Sequence, residues 1–576
     1  MHFLKSVAAC ALMCSINNCS HNKEMIKPPV AEKRAHDVGM HGDKRNDEYY
    51  WLNGYFRKNA DSTKVVKYLE AENEYRDGML SDIRGLRDTL FNEMKARMKE
   101  DDQSVPVFHN GYYYYRRYEK GSEYPVICRK KDNLTSPEIV LLNINEMAEG
   151  FEYFECDNYE VSPDNKLLAF AVDTLSRRQF TLYIKNLETG EIYSDAMYPS
   201  AEAIAWANDS KHLFYISNNP ETLLSEKVKR HAAGTPAADD EVVYKEKDKS
   251  NYLRLHKTTS DRFVMIRSEA TLSAEMWFLD ANKPLEQFKV LQPRIKDVLY
   301  DAVEQNGKFL ILTNLDAKNF RLMEAPVDHP TQDNWKELIA HNPDVLIEDV
   351  HPFKNHFVVT QRKNGLVEMR IRNITTNEEH LLDFGEATYS AEAELNPEYN
   401  TTVFRYSFTS LRTPASEFDY DLNTKHKTLL KEQVVVGGYN KEDYITERLS
   451  ATAPDGKKVP VSIVYKKGFK RDGTSPLWLV GYGAYGHSSD PYFSSTRLSL
   501  LDRGFAYAVA HIRGGEELGR EWYEDGRLLK KKNTFTDFIA VAEFLIGEKF
   551  TSSDHLYTYG GSAGGLLIGA VVNMRP

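Results

Sequence analysis

The stretch Gly560-Gly561-Ser562-Ala563-Gly564-Gly565 carries the sharpest chemical signal in the chain. A serine between glycines follows the run His555 to Tyr559 and precedes the small and apolar run Leu566 to Val572. That order reads as strand, sharp turn and helix, the setting in which a serine hydroxyl is held out as a nucleophile. Glycines on either side let the backbone pack closely enough for such a turn. The helix N-terminus, and the N–H of Ala563 next to the serine, then face the place where an oxyanion would form during acyl transfer.

A serine needs a base to take its proton, in this chemistry a histidine oriented by a carboxylate. Residues 563–576 contain neither Asp nor His. His511 and His555 lie upstream: one ends a strand before an Arg-Gly-Gly turn, the other begins the strand before Ser562, and both read as structural. None of these parts calls for a metal or a cofactor.

The elements that must hold Ser562 occupy 431–576. Val459 to Tyr465, Pro476 to Tyr482, Gly504 to His511 and His555 to Tyr559 read as strands, the last three as nearly continuous apolar runs of the buried parallel kind. Between the last two, Phe535, Phe538, Ile539, Ala542 and Leu545 share one helical face, and Thr534 with Asp537 reads as a variant capping box. Strands alternating with helices give an α/β sheet.

From about Asn110 to Tyr406 the pattern is different. A polar turn residue followed by a β-rich run recurs at Asn110, Asp164, Asp209, Asp261, Asn306, Asn355 and Asn400, at intervals of 45 to 54 residues. Asn, Asp and Gly suit tight hairpins, and a period near this length with several strands per repeat marks a β-propeller. Seven turns predict seven blades over 101–430. Residues 26–100 form a third region, with charged amphipathic helices over Lys64 to Tyr75 and Leu80 to Lys99 that are expected to pack on the α/β domain.

With 41% hydrophobic and 28% charged residues, this is a globular composition, and 34 tyrosines favour β structure. A net charge of −11 argues against a nucleic-acid partner and suits cationic ligands. No apolar run is long enough to span a membrane. Residues 1–25 read as a targeting segment, with Lys5 before the apolar stretch Ser6 to Ile16. They point to the periplasm or cell envelope, with lipid attachment at Cys19 or Cys10 an option and a cytoplasmic location the alternative. Cys128 and Cys156 read as buried thiols rather than a disulfide framework.

Several long stretches resemble the prolyl oligopeptidase family of serine peptidases, in particular its oligopeptidase B branch (protease II). They are His41 to Leu52, Asn314 to Pro326, Asp443 to Asp455, Arg497 to Gly519 and Gly560 to Pro576. The resemblance implies a seven-bladed propeller capping an α/β-hydrolase domain, with Ser562 as nucleophile. It implies that Tyr482, in Gly481-Tyr482-Gly483, donates its hydroxyl to the oxyanion. It also implies that Asp490 matches one of two aspartates linked to preference for a second basic residue, although Tyr492 stands at the other position. The family's triad Asp and His both follow the serine by a wide margin, so the chain resembles a member truncated within its catalytic domain and inactive as it stands. Such an end would also expose Leu566, Leu567, Ile568 and Val572.

The favoured expectation is an endopeptidase acting on short unfolded peptides after Arg or Lys. A proline-specific oligopeptidase, a non-catalytic peptide-binding propeller and, more distantly, an esterase are the alternatives.

Overall fold

The computed structural model describes residues 26–57, 61–156 and 158–576, so the segment read as a targeting signal lies outside the described residues. The chain divides into two compact units that meet between Glu93 and Met94. In the first, the expected helices run Ser62–Met79 and from Arg84 onward, the latter ending at Ala96 in the second unit. Trp51 is fixed by its indole N–H, which donates to the Glu32 carbonyl at 2.8 Å, and by the Arg34 guanidinium over its ring.

The second unit begins with six antiparallel sheets between Val107 and Glu432. Every anticipated Asn or Asp turn lies between the first two strands of a repeat. Asn110, Asp261 and Asn306 take the left-handed conformation themselves, and at two other turns the following residue, Asn165 or Ser210, takes it instead. The expectation of seven separate blades is corrected. Five sheets have four strands, and one has seven. Met197–Trp206 runs as one continuous strand, pairing near its start with Phe180–Asn186 (Leu182 opposite Met197) and at its end with His212–Asn218 (Trp206 opposite Leu213). Two repeats therefore share a strand and merge.

Each sheet packs an apolar face on the next. Phe353, Val358, Met369, Phe404 and Tyr406, for example, form one core between the last two sheets. The first and last sheets are not joined by a shared strand. They meet through polar contacts: Arg405 donates to the Pro106 carbonyl at 2.8 Å, and the Asn110 N–H donates to Glu398 at 2.8 Å.

After the propeller comes a five-stranded mixed sheet: β1 (Tyr444–Thr452), β2 (Lys458–Lys466), β3 (Leu477–Val480), β4 (Ala506–Ala510) and β5 (Leu556–Tyr559), in the order β1-β2-β4-β3-β5. β3 pairs in parallel with both β4 and β5, while β1, β2 and β4 pair antiparallel. β1 was not anticipated, because its largely half-buried and exposed residues, with charged Glu447 and Arg448 in the middle, lack the continuous apolar run of the inner strands. Helices α1 (Lys532–Gly547) and α2 (Ala563–Met574) follow β4 and β5, and Phe538, Val541, Leu545 and Leu567 pack on the sheet's Val459, Val461, Ile463 and Leu479.

Two local expectations change. Thr534 and Asp537 do not form a capping box. Helix α1 begins earlier, and both side chains are buried against Arg513: Thr534 donates to its carbonyl at 2.8 Å, and Asp537 accepts from its side chain. Leu566 and Val572 are exposed, but Leu567 is fully buried under β3.

Candidate active site

The turn between β5 and α2 places Ser562 at φ 54° and ψ −119°, outside the regions an L-residue ordinarily occupies. Such strain, of the order of 1–3 kcal/mol, persists only where surrounding structure enforces it. The enforcement is visible. The Gly564 N–H donates to the Gly561 carbonyl at 2.8 Å and the Gly565 N–H to the Ser562 carbonyl at 2.9 Å. A Cβ at Gly560 would lie 2.1 Å from the Gly564 carbonyl oxygen, so only glycine fits there. Ser562 itself is exposed. Ala563 opens α2, and its N–H is among those a helix's first turn leaves without an intrahelical acceptor.

Tyr482 follows β3, the strand beside β5. A Cβ on Gly564 would lie 3.6 Å from the Tyr482 ring, so the tyrosine packs directly on the start of the nucleophile's helix. Its ring meets His487 edge-on, with centroids 5.4 Å apart. The loop carrying Tyr482 rests on the loop after β4. The Gly486 N–H donates to the Gly514 carbonyl at 2.9 Å, and the Lys531 ammonium donates to the Gly483 carbonyl. Arg513, 2% exposed, anchors that second loop through Asp537 at 2.8 and 2.5 Å and Asp455 at 2.5 Å.

A cavity of about 500 Å³ opens in front of these groups. Tyr482, Gly560, Gly561, Tyr559 and the loop His487 to Asp490 line it from the catalytic domain, and Ser390, Glu392, Ser407 and Thr409 line it from the last propeller sheet. Ser562, Ala563 and Tyr482, separated by up to 81 positions in the chain, are thus brought to one place.

Asp490 also lines the cavity, but its carboxylate is held by the propeller. Arg362, on the strand His356–Lys363, donates to both of its oxygens at 2.7 and 3.0 Å and to Glu348 at 2.8 Å. Burial raises the Glu348 carboxyl despite that arginine. Burial alone would lower the Arg362 guanidinium, yet the two carboxylates raise it overall, so it stays a cation.

His511 is not placed to serve Ser562. It is 1% exposed, and its Nε2 is hydrogen-bonded with Ser462 Oγ at 2.8 Å. Burial, with the nearby charges of Arg448 and Arg362, pushes its pKa down to about 3. His555 is exposed in the turn before β5. Beside His511 sits Glu517, whose carboxyl burial pushes up to about 7 although it accepts the Ser489 N–H at 2.8 Å.

Sequence reasoning missed Arg362, Glu348, Glu392 and Glu517. Three of them belong to the propeller, far from the site in the chain, and nothing in local pattern ties them to it. Glu517 had a signal, a charged residue in the tight Gly514-Gly515-Glu516-Glu517 turn after a buried strand.

Comparison with known proteins agrees with this geometry. Residues 28–433 match the description "Prolyl oligopeptidase, N-terminal beta-propeller domain", and residues 491–576 match "Prolyl oligopeptidase family". The chain is 43% identical to Dipeptidyl aminopeptidase BI of Pseudoxanthomonas mexicana, over 95% of this chain and 78% of that protein. It is 34% identical to Protease 2 of Moraxella lacunata, over 95% of this chain and 79% of that one. The solved structure of oligopeptidase B from Leishmania major superposes with a TM-score of 0.91 at 34% identity, covering 96% of this chain and 81% of that one.

Proposed function

The chain belongs to the prolyl oligopeptidase family of serine peptidases, and from that premise we propose that it is an endopeptidase of short unfolded peptides, cleaving after Arg or Lys. The observation that carries the reading is the strained Ser562, whose helix packs on Tyr482 at Gly564 and whose neighbours Gly560 and Gly561 line a cavity walled on its other side by the propeller. In this mechanism Ser562 Oγ attacks the scissile carbonyl, and the Ala563 N–H and Tyr482 O–H stabilise the resulting oxyanion. A histidine base, oriented by an aspartate, carries the proton from serine to leaving amine. Residues 1–576 supply the nucleophile and the oxyanion donors, and no histidine among the described residues hydrogen-bonds to Ser562. On their own they are therefore expected to bind peptides without turning them over.

The preference for Arg or Lys rests on likeness to Protease 2 and oligopeptidase B. A second reading, release of dipeptides from amino ends, is favoured by the name of the 43% identical relative. Proline specificity stands behind both. An assay of the intact gene product on blocked Arg, blocked Pro and free-amino dipeptidyl chromogenic substrates separates them, and activity on none would refute the peptidase reading.

We read the seven-stranded sheet as two repeats fused through the strand Met197–Trp206. We also propose that residues 1–25 direct export to the cell envelope, with Cys19 available for a lipid. Cell fractionation with fatty-acid labelling tests this, and uncleaved protein confined to the cytosol would overturn it.

A further inference from the structure

The cavity in front of Ser562 is lined by two carboxylates, Glu392 and Asp490, and by no lysine or arginine among the described residues. They are not equivalent. Both oxygens of Asp490 are engaged by Arg362, so its charge is already compensated. Glu392 lies on the strand Ser390–Ala393, where Ala391 and Ala393 pack on the propeller core, Ser390, Ala391 and Glu392 line the cavity, and Glu392 is the exposed one. Its carboxylate has no hydrogen-bond or ion-pair partner among the described residues, and it is exposed. Tyr482, Tyr492, Tyr507 and Tyr559 also line the cavity, and aromatic rings attract cations. Two cations lie nearby, Arg362 behind Asp490 and Arg497 behind Tyr492 and Tyr507. The Arg497 guanidinium sits 3.8 Å from the centroid of the Tyr507 ring, but it is buried behind that ring and does not line the cavity.

We propose that Glu392, not Asp490, receives a cationic group of the bound peptide. This rests on the peptidase reading and deepens it. The group recognised is an ammonium or guanidinium, and it has two possible sources in a peptide, a basic side chain or a free α-amine. Arg362 acts on specificity in the opposite sense. By neutralising Asp490 it removes that residue as an attractor and fixes the loop that forms one cavity wall. The preference is thereby moved from the catalytic domain to the propeller.

The test is peptide binding, read by fluorescence anisotropy on the chain carrying Ser562→Ala so that no hydrolysis intervenes. Three C-terminally labelled peptides suffice: an acetylated one with Arg, an acetylated one with Gln in its place, and the Gln peptide with a free amine. The expected result is a preference of roughly fivefold at low salt for a cationic peptide over the acetylated Gln peptide, the scale of a part-exposed ion pair. The acetylated Arg and free-amine Gln peptides show which source Glu392 reads. Glu392→Gln should abolish the preference, Glu392→Asp should keep part of it, and Asp490→Asn should keep most of it. Thermal melts confirm that each variant is folded. A preference that survives Glu392→Gln, that is lost more in Asp490→Asn, or that is absent from the starting protein would overturn the assignment while leaving peptide binding intact. Failure to bind any of the three peptides would overturn the peptidase reading as well.

Discussion

Replacing Asp537 by Ala should unfold the catalytic half of the molecule more readily than any single surface change. Asp537 is fully buried and accepts from Arg513 three times: from the backbone N–H at 3.1 Å, from Nε at 2.8 Å and from Nη2 at 2.5 Å. Arg513 is itself 2% exposed, and its guanidinium cannot shed its proton. Removing the carboxylate leaves a buried cation with only Asp455, a partner 45% exposed. Breaking a buried pair in this way typically costs about 3–5 kcal/mol. Asp455→Asn removes the exposed partner and should cost less than about 1 kcal/mol. Urea denaturation followed by tryptophan fluorescence is suited to this, because Trp522 lies against Arg513, with the guanidinium 5.7 Å from the ring centroid. The two variants should separate by at least about 2 kcal/mol. Equal losses, or a loss below about 1 kcal/mol for Asp537→Ala, would show that the pair does not hold the loop beneath Tyr482.

Three further outcomes follow from the same geometry. Glu517, held at about 7 against 4.5 for a free glutamate, stabilises the fold fully only below its unfolded value, and that contribution is lost as pH rises through about 7. Glu517→Gln should therefore gain on the unsubstituted protein by roughly 3 kcal/mol between pH 4.5 and 8, seen in denaturation midpoints, and a constant difference across that range would contradict it. Gly514→Ala places a Cβ 2.0 Å from the Gly483 carbonyl oxygen at a φ of 104°, so it should part the two loops and lower the melting temperature by several degrees; an unchanged melt would be contrary evidence. In the intact gene product Tyr482→Phe should lower kcat by about 10²–10³ with little change in KM, and steady-state kinetics showing the loss in KM alone would remove the oxyanion role.

The parts of this molecule that sequence reveals are those encoded locally. The Ser562 turn is legible because strand, glycines and helix are contiguous, and the hairpin turns from Asn110 to Asn400 because each is a short polar break between apolar runs. What escaped depends on chain segments far apart. Met197–Trp206 has nothing in its sequence to say that it pairs on both edges, so two repeats merge where seven separate sheets were expected. Thr534 and Asp537 have the spacing of a capping box, but tertiary burial of Arg513 claims both side chains. Asp490 was identified as a carboxylate near the site, but its partner lies 128 positions earlier, on a different domain, and that partner decides whether its charge is available.

The most direct test of the account is to express residues 26–576 and assay them with an Arg-containing chromogenic peptide and a fluorophosphonate probe. Ser562 would be folded and accessible there, yet without a positioned base its reactivity should fall by a factor on the order of 10⁶, so neither turnover nor rapid labelling is expected. Peptide turnover that Ser562→Ala abolishes would show that these residues hold a base of their own, and would contradict the assignment of the proton-transfer role to a histidine outside them.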